Sequence, residues 1–317
     1  MFNAARRLAA LGIMGINRRN ADFTLRHNPR RYYPLVDDKL RTKELAVQAG
    51  IPVPELYLVV EKEFQVRRLA AQLQRYQDFV IKPAHGSGGD GIVVIAGRVG
   101  ANYRTAGGFL MPQEEIDHHV FNTLSGLYSL RGSTDQALIE YRVELDPCFQ
   151  EISYLGVPDL RIIVFLGVPV MAMLRLPTRS SAGKANLHQG ALGVGVDLAT
   201  GVTRGGAWRQ EIIREHPDTG CSLHGVAIPH WETMLRLAAR SYELTHLGYL
   251  GVDMVLDRDK GPMLLELNAR PGLAIQIANQ AGLLPRIDLI EKNYRDMAPG
   301  VRVALAQQLF GIGQTAD

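Results

Sequence analysis

The segment running from Phe79 to Ile92, Phe-Val-Ile-Lys-Pro-Ala-His-Gly-Ser-Gly-Gly-Asp-Gly-Ile, constrains this chain more than any other. Four glycines fall within the nine positions from Pro83 to Gly91. Glycine removes the side chain where a backbone must come close to another group. Successive N–H groups in such a loop can cradle phosphate oxygens. The apolar run Phe79–Lys82 predicts a short buried strand and Ile92–Ala96 the next one, so the loop is a hairpin tip. Lys82 sits inside the first strand. A buried ammonium is costly without an anionic partner, and a phosphate would supply one. The order of residues excludes a P-loop, in which the lysine follows the glycines, and a dinucleotide fingerprint, in which a helix follows them. The plainer alternative is a flexible hairpin whose lysine reaches solvent.

A second hairpin is written in Gly251-Val-Asp-Met-Val-Leu-Asp257 and Pro262-Met-Leu-Leu-Glu-Leu-Asn268. Glu266 and Asn268 are two apart and share a strand face. With Asp259 and Lys260 as the central turn residues, Arg258 pairs with Gly261 and Asp253 falls opposite Glu266. Facing residues lie ~5 Å apart, and two carboxylates that close repel unless a cation lies between them. Such oxygens, completed by phosphate, describe a Mg²⁺ site. A one-residue slip would turn Asp253 to the other face. Solvated acids on an exposed face are the alternative, but Glu266 lies among apolar neighbours where an unpaired acid is costly.

With 317 residues, 46% hydrophobic and 21% charged, the chain can fill one large or two to three small domains. A net charge of +3 gives no case for bulk nucleic-acid binding. Cys148 and Cys221 make neither a disulfide framework nor a zinc set and read as free thiols in a reducing, cytoplasmic setting. No apolar run is long enough to cross a membrane. Met1–Ile16 reads as a short helix and not a signal peptide. Residues 1–36 form a basic, irregular arm with Arg18, Arg19, Arg26, Arg30 and Arg31, from which only a weak membrane-surface or protein contact is expected.

Helices are expected at Thr42–Gly50, Glu63–Tyr76 (with Leu69 and Leu73 on one face), Gln113–Leu130, Trp231–Leu247 and Asp288–Leu309. Strands are expected at Leu56–Val60 and Ala137–Val143, and as a pair, Leu160–Leu166 and Val168–Leu174, turning at Gly167. Intermixed helices and strands joined by tight turns predict an α+β fold with antiparallel sheets.

The glycine loop and the Glu-x-Asn strand, in this order and about 180 residues apart, resemble the ATP-grasp superfamily, and most nearly the RimK-like and alpha-L-glutamate ligase-like proteins. The resemblance covers roughly residues 37–290. It implies two α+β subdomains enclosing ATP, at residues 37–140 and 141–317, after an N-terminal domain reduced to the arm 1–36. Asp38-Lys39-Leu-Arg resembles the motif whose lysine meets ATP phosphates. The glycine lid adds Lys82, His85, Gly86, Ser87, Gly88 and Gly89. Leu138-Ile-Glu-Tyr141 resembles the adenine hinge, implying Glu140, Tyr141 and Arg142. Asp159-Leu-Arg161 is similar to a block whose aspartate meets ribose and whose arginine meets the transferred phosphate. Arg175 with Lys184-Ala-Asn186-Leu-His188 is similar to an Arg…Arg-x-Asn-Leu-His stretch. Lys184 stands where an arginine is usual, which keeps the charge but loses the bidentate fork. His188 orients substrate or is structural.

The resemblance implies Asp253, Glu266 and Asn268 as ligands to Mg²⁺, with two ions and Mn²⁺ as a substitute, and Arg161, Arg175 and Arg270 as the catalytic cations. The expected activity is carboxylate–amine ligation through an acyl-phosphate, adding glutamate or another amino acid to a small-molecule or peptide acceptor, in a homo-oligomer. An ATP-grasp phosphotransferase or sugar-transfer-associated enzyme, and a non-catalytic nucleotide binder, are the alternatives.

Overall fold

The computed structural model describes residues 2–86, 88–129, 132–209 and 211–311. Ser87 of the glycine loop, and Leu130 at the end of one expected helix, lie outside them. Among the described residues thirteen strands build two sheets, and every strand pairing is antiparallel.

The six-stranded sheet contains β1 (Leu56–Val60), β2 (Phe79–Pro83), β3 (Val93–Val99), β4 (Asn102–Thr105), β5 (Leu110–Met111) and β6 (Ala137–Glu140), in the order β1-β6-β2-β3-β4-β5. Helices Glu63–Val66, Leu69–Leu73 and Gln113–Leu124 cover one face, and Val66, Leu69, Leu73, Ile116 and Val120 share its core with Phe79, Ile81 and Ile95. The single helix expected over Glu63–Tyr76 is therefore two, broken at Arg67–Arg68. The helix expected to reach Leu130 stops at Leu124. Gly126 has φ +85°, the Gly126 N–H bonds to Thr123 O and the Leu127 N–H to Asn122 O, which is the Schellman way of closing a helix.

The seven-stranded sheet contains β7 (Asp159–Phe165), β8 (Val168–Leu176), β9 (Leu192–Val196), β10 (Thr203–Trp208), β11 (Glu211–Ile213), β12 (Tyr249–Asp257) and β13 (Gly261–Asn268). Its order is β11-β10-β9-β8-β7-β12-β13. The main core lies here, against helix Trp231–Thr245 and the C-terminal helices Leu284–Asn293 and Pro299–Phe310. One tail helix was expected. Pro299 opens the second, and the residue before a proline is pushed out of helical geometry.

Helix Lys39–Gln48 bridges the two sheets. Asp38 caps it, accepting from the N–H groups of Leu40 at 2.9 Å and Arg41 at 3.2 Å. The arm before it is a series of short helical turns folded onto the seven-stranded sheet, not an irregular segment. The Asn28 side chain donates to Tyr249 O at 2.7 Å and Ala269 O at 2.9 Å and accepts from Tyr249 N–H at 2.8 Å. Phe23 packs edge-on against Phe165, with ring centroids 5.9 Å apart.

Candidate nucleotide site

Period-2 alternation places the charged residues of four adjacent strands on one face. Asp159 and Arg161 are two apart on β7, Arg175 on β8 pairs with Asp159, Asp253 on β12 pairs with Arg161, and Glu266 on β13 pairs with Asp253. Their neighbours Leu160, Ile162, Leu174, Val252 and Met254 are fully buried in the core. The result is a charged stripe on an apolar sheet.

Each charge in the stripe has a partner. Arg161 grips Asp253 with two bonds, its Nε to Oδ1 at 2.6 Å and its Nη2 to Oδ2. Arg175 forks to Asp159, and its Nη2 also reaches Asp253 Oδ2 at 2.7 Å. Burial alone would raise the pKa of Asp253, but the two guanidiniums hold it well below the usual carboxylate range. Asn268 donates to Asp253 at 3.3 Å and Glu266 at 3.2 Å.

The Asp253–Glu266 pairing is reached by a different route from the one expected. At the turn the register is Asp257 with Gly261 and Met254 with Leu264, one residue out from the expected turn. A bulge at Leu265 then restores it. A bulge adds one residue to one strand and re-aims the side chains beyond it, so Glu266 and Asn268 share the face of Asp253.

Facing the stripe are the lysines. Lys39, at the first position of its helix, donates to the Gly86 carbonyl of the glycine loop and lies 3.9 Å from Glu266 Oε2. Burial lowers its pKa and Glu266 opposes the shift. Lys82 meets Glu140 at 2.5 Å, and Lys43 meets the same carboxylate at 2.6 Å and also donates to Pro54 O. The Lys43, Lys82 and Glu140 side chains are all buried. The anion that Lys82 requires is therefore supplied within the chain. Lys43 was not anticipated, although it lies one helical turn after Lys39 and so on the same side. Burial brings its pKa down to about 8, against the pull of Glu140.

The glycine loop is shaped tightly. A side chain at Gly86 would lie 2.3 Å from Pro83 Cγ, and Gly88 and Gly89 adopt φ of +68° and +82°. The tip reaches the other sheet, where Asn186 donates to Gly88 O and Gln189 to Asp90 at 3.2 Å. Lys184 flanks Gly89, and His188 is exposed. His85 bonds through Nδ1 to the buried Asp135 at 2.8 Å, beside a cavity of about 440 Å³ also lined by Asp38, Glu61 and Gln136.

Three of the expected site residues are engaged elsewhere. Arg270 stacks over Tyr33 at 5.2 Å, outside the Arg161–Arg175 cluster. The Tyr141 N–H donates to Glu55 O and its hydroxyl to Asp257 at 2.9 Å. Arg142 pairs with Glu144 and reaches Asp78 at 3.8 Å.

No three His, Cys, Asp or Glu side chains among the described residues group as a metal site on their own. The face still suits a Mg²⁺ that brings phosphate oxygens with it. Glu266 carries only an amide donor and a lysine 3.9 Å away, so its carboxylate keeps lone pairs for a cation, whereas Asp253 already accepts three guanidinium bonds and one from Asn268.

No curated protein sequence matches this chain significantly. Among solved structures, the ATP-grasp ligase PsnB complexed with minimal precursor is 16% identical with a TM-score of 0.45, over 84% of this chain and 64% of PsnB. D-alanyl-alanine synthetase A from Vibrio cholerae O1 biovar eltor is 11% identical with a TM-score of 0.48, over 87% of this chain and 66% of that one. The biotin carboxylase domain of Hydrogenobacter thermophilus 2-oxoglutarate carboxylase is 15% identical with a TM-score of 0.49, over 84% and 47%. The chain thus spans less than two thirds of these proteins. The family described as sugar-transfer associated ATP-grasp matches residues 18–292. That match upholds the superfamily expected from the sequence and names the sugar-transfer associated group where RimK-like ligases were expected. This chain belongs to the sugar-transfer associated ATP-grasp family.

Proposed function

We propose that this chain is an ATP- and Mg²⁺-dependent enzyme serving sugar-transfer chemistry, which moves the terminal phosphoryl group of ATP to an acceptor oxygen. The observation that carries the reading is the place of Lys39, between the glycine-loop carbonyl of Gly86 and the carboxylate of Glu266. A phosphate chain lying there would meet loop N–H groups on one side and an acidic, metal-binding face on the other. Glu266, Asn268 and Asp253 would hold Mg²⁺, which when bound would neutralise phosphate charge. Lys39 would bind phosphate oxygens, Lys82 would share its ammonium between Glu140 and a phosphate oxygen, and Arg161 and Arg175 face the charge that builds on the transferred group. The work is positioning and charge neutralisation, with little covalent side-chain chemistry.

Amide formation is the second reading, favoured by the paired guanidiniums of Arg161 and Arg175 beside Asp253. A carboxylate acceptor gives an acyl-phosphate that an amine opens, with phosphate leaving. ADP release measured with sugars, acids and amines, singly and in pairs, separates the readings. Simple transfer needs one acceptor, whereas ligation needs acid and amine together. Lys82→Ala is expected to abolish ADP release while the fold persists. Normal turnover by that variant would refute the assignment of Lys82.

A further inference from the structure

The sugar-transfer reading leaves the N-terminal arm unused. Residues 1–31 hold seven arginines and one aspartate, with no lysine or glutamate, while the whole chain is only +3, so the remainder is net acidic. The arm is also apolar where it is exposed. In helix Phe2–Ala10 and the residue after it, each position from Arg6 to Leu11 is exposed, Leu8 at 52% and Leu11 at 65%. Ile16 and Leu25 are similarly bare, at 62% and 64%.

This helix is held in a set direction and does not simply trail. Gly12, with φ +67°, closes it in a Schellman turn, its own N–H bonding to Ala9 O and the Ile13 N–H to Leu8 O. Gly12 is itself pinned, since its carbonyl accepts from Leu284 N–H at 3.1 Å and a Cβ there would strike Pro285 at 2.4 Å. Two residues on, Gln276 holds both the N–H and the carbonyl of Met14. The next residue, Ile277, is 46% exposed. Arg6, Arg7 and Arg30 have no acidic partner among the described residues. A solvated charged face would account for the arginines, but not for leucines and isoleucines left bare beside them.

We infer that this arm docks the enzyme on an anionic phospholipid surface, with Leu8 and Leu11 entering the headgroup boundary and Arg6 and Arg7 meeting lipid phosphates. Exposed apolar side chains beside unpaired arginines suit such an interface. No helix among the described residues is long and apolar enough to cross a membrane, so the contact is one of lying on it.

The test is co-sedimentation of the full chain with phosphatidylcholine vesicles, with and without about a third phosphatidylglycerol. Binding to the anionic vesicles alone is expected, weakening as salt is raised. Leu8→Ser with Leu11→Ser should lower binding on the order of tenfold or more, from the lost apolar burial. Arg6→Gln with Arg7→Gln should lower it by about tenfold. Both pairs lie on exposed positions, and unchanged circular dichroism and thermal midpoint would show that the fold is intact. Equal binding to neutral vesicles, no binding, or full binding by the leucine variant would overturn the proposal. Tighter binding to an RNA homopolymer, insensitive to the leucine changes, would overturn it in favour of a nucleic-acid arm.

Discussion

Replacing Glu140 with glutamine removes one charge and almost no volume from the most buried ionic contact among the described residues. Glu140 meets Lys82 at 2.5 Å and Lys43 at 2.6 Å, and the three residues are 3%, 6% and 6% exposed. Glutamine keeps one acceptor oxygen but leaves two ammonium groups without a counter-charge. Breaking a buried ion pair by removing one partner costs about 3–5 kcal/mol. Proton loss from Lys43 limits the penalty, because burial has already brought its pKa down to about 8. Without Glu140 it falls further, and Lys43 is neutral in the folded variant at pH 7. The unfolded chain still binds that proton up to its ordinary value of 10.5. Where the unfolded state holds more protons, stability rises with pH. The variant therefore gains stability from pH 7 upward, whereas the wild type begins to gain only near pH 8. The gap between them should be about 3–5 kcal/mol at pH 7, narrow by ~1 kcal/mol toward pH 8.5, and stay level above it. Urea unfolding of both proteins from pH 6.5 to 9.5 measures this, with pH steps of about half a unit. A difference under ~1 kcal/mol, or one that widens with pH, would refute the account of the two lysines.

Glu266→Gln should weaken binding of Mg²⁺-ATP, read by calorimetry with and without the metal, and unchanged affinity in Mg²⁺ would remove Glu266 from the metal site. Asn28→Ala breaks three buried bonds, two to Tyr249 at the start of β12 and one to Ala269 just after β13, and should cost about 2–4 kcal/mol in urea unfolding. A loss below ~0.5 kcal/mol would mean that the arm is not held there. Gly167→Ala places a Cβ 2.3 Å from the Arg302 guanidinium at φ +78° and should lower stability by about 1–3 kcal/mol. A thermal midpoint equal to wild type would contradict the crowding at this turn.

The strands and helices were largely legible in the sequence, because a period of two or of 3.6 shows in any window of residues. β1 and the hairpins β7–β8 and β12–β13 lie within a residue or two of expectation, and tight turns foretold antiparallel sheets. Where expectation failed, as at Arg67–Arg68 and at Pro299, the break came from capping and chain geometry that a hydrophobic pattern does not register. Gly126 was a readable stop that the apolar run beyond it obscured.

Of the candidate site, the residue types and their order were in the sequence, but the partners of each charge were not. Alternation says that Lys82 and Glu140 each point from a strand, and only the strand order β1-β6-β2 makes them neighbours. Asp253 was expected to share a face with Glu266, and it does. A bulge at Leu265 rather than the turn makes it so, since one extra residue leaves no mark in composition or period. The basic arm reads as loose from its arginines, yet Asn28, Gly12 and Met14 are each bound to residues more than 200 positions away. Sequence determines local periodicity, turn chemistry and which charges must find partners. Which partner each one finds depends on sheet order, bulges and long-range backbone bonds, and those exist only once the chain has packed.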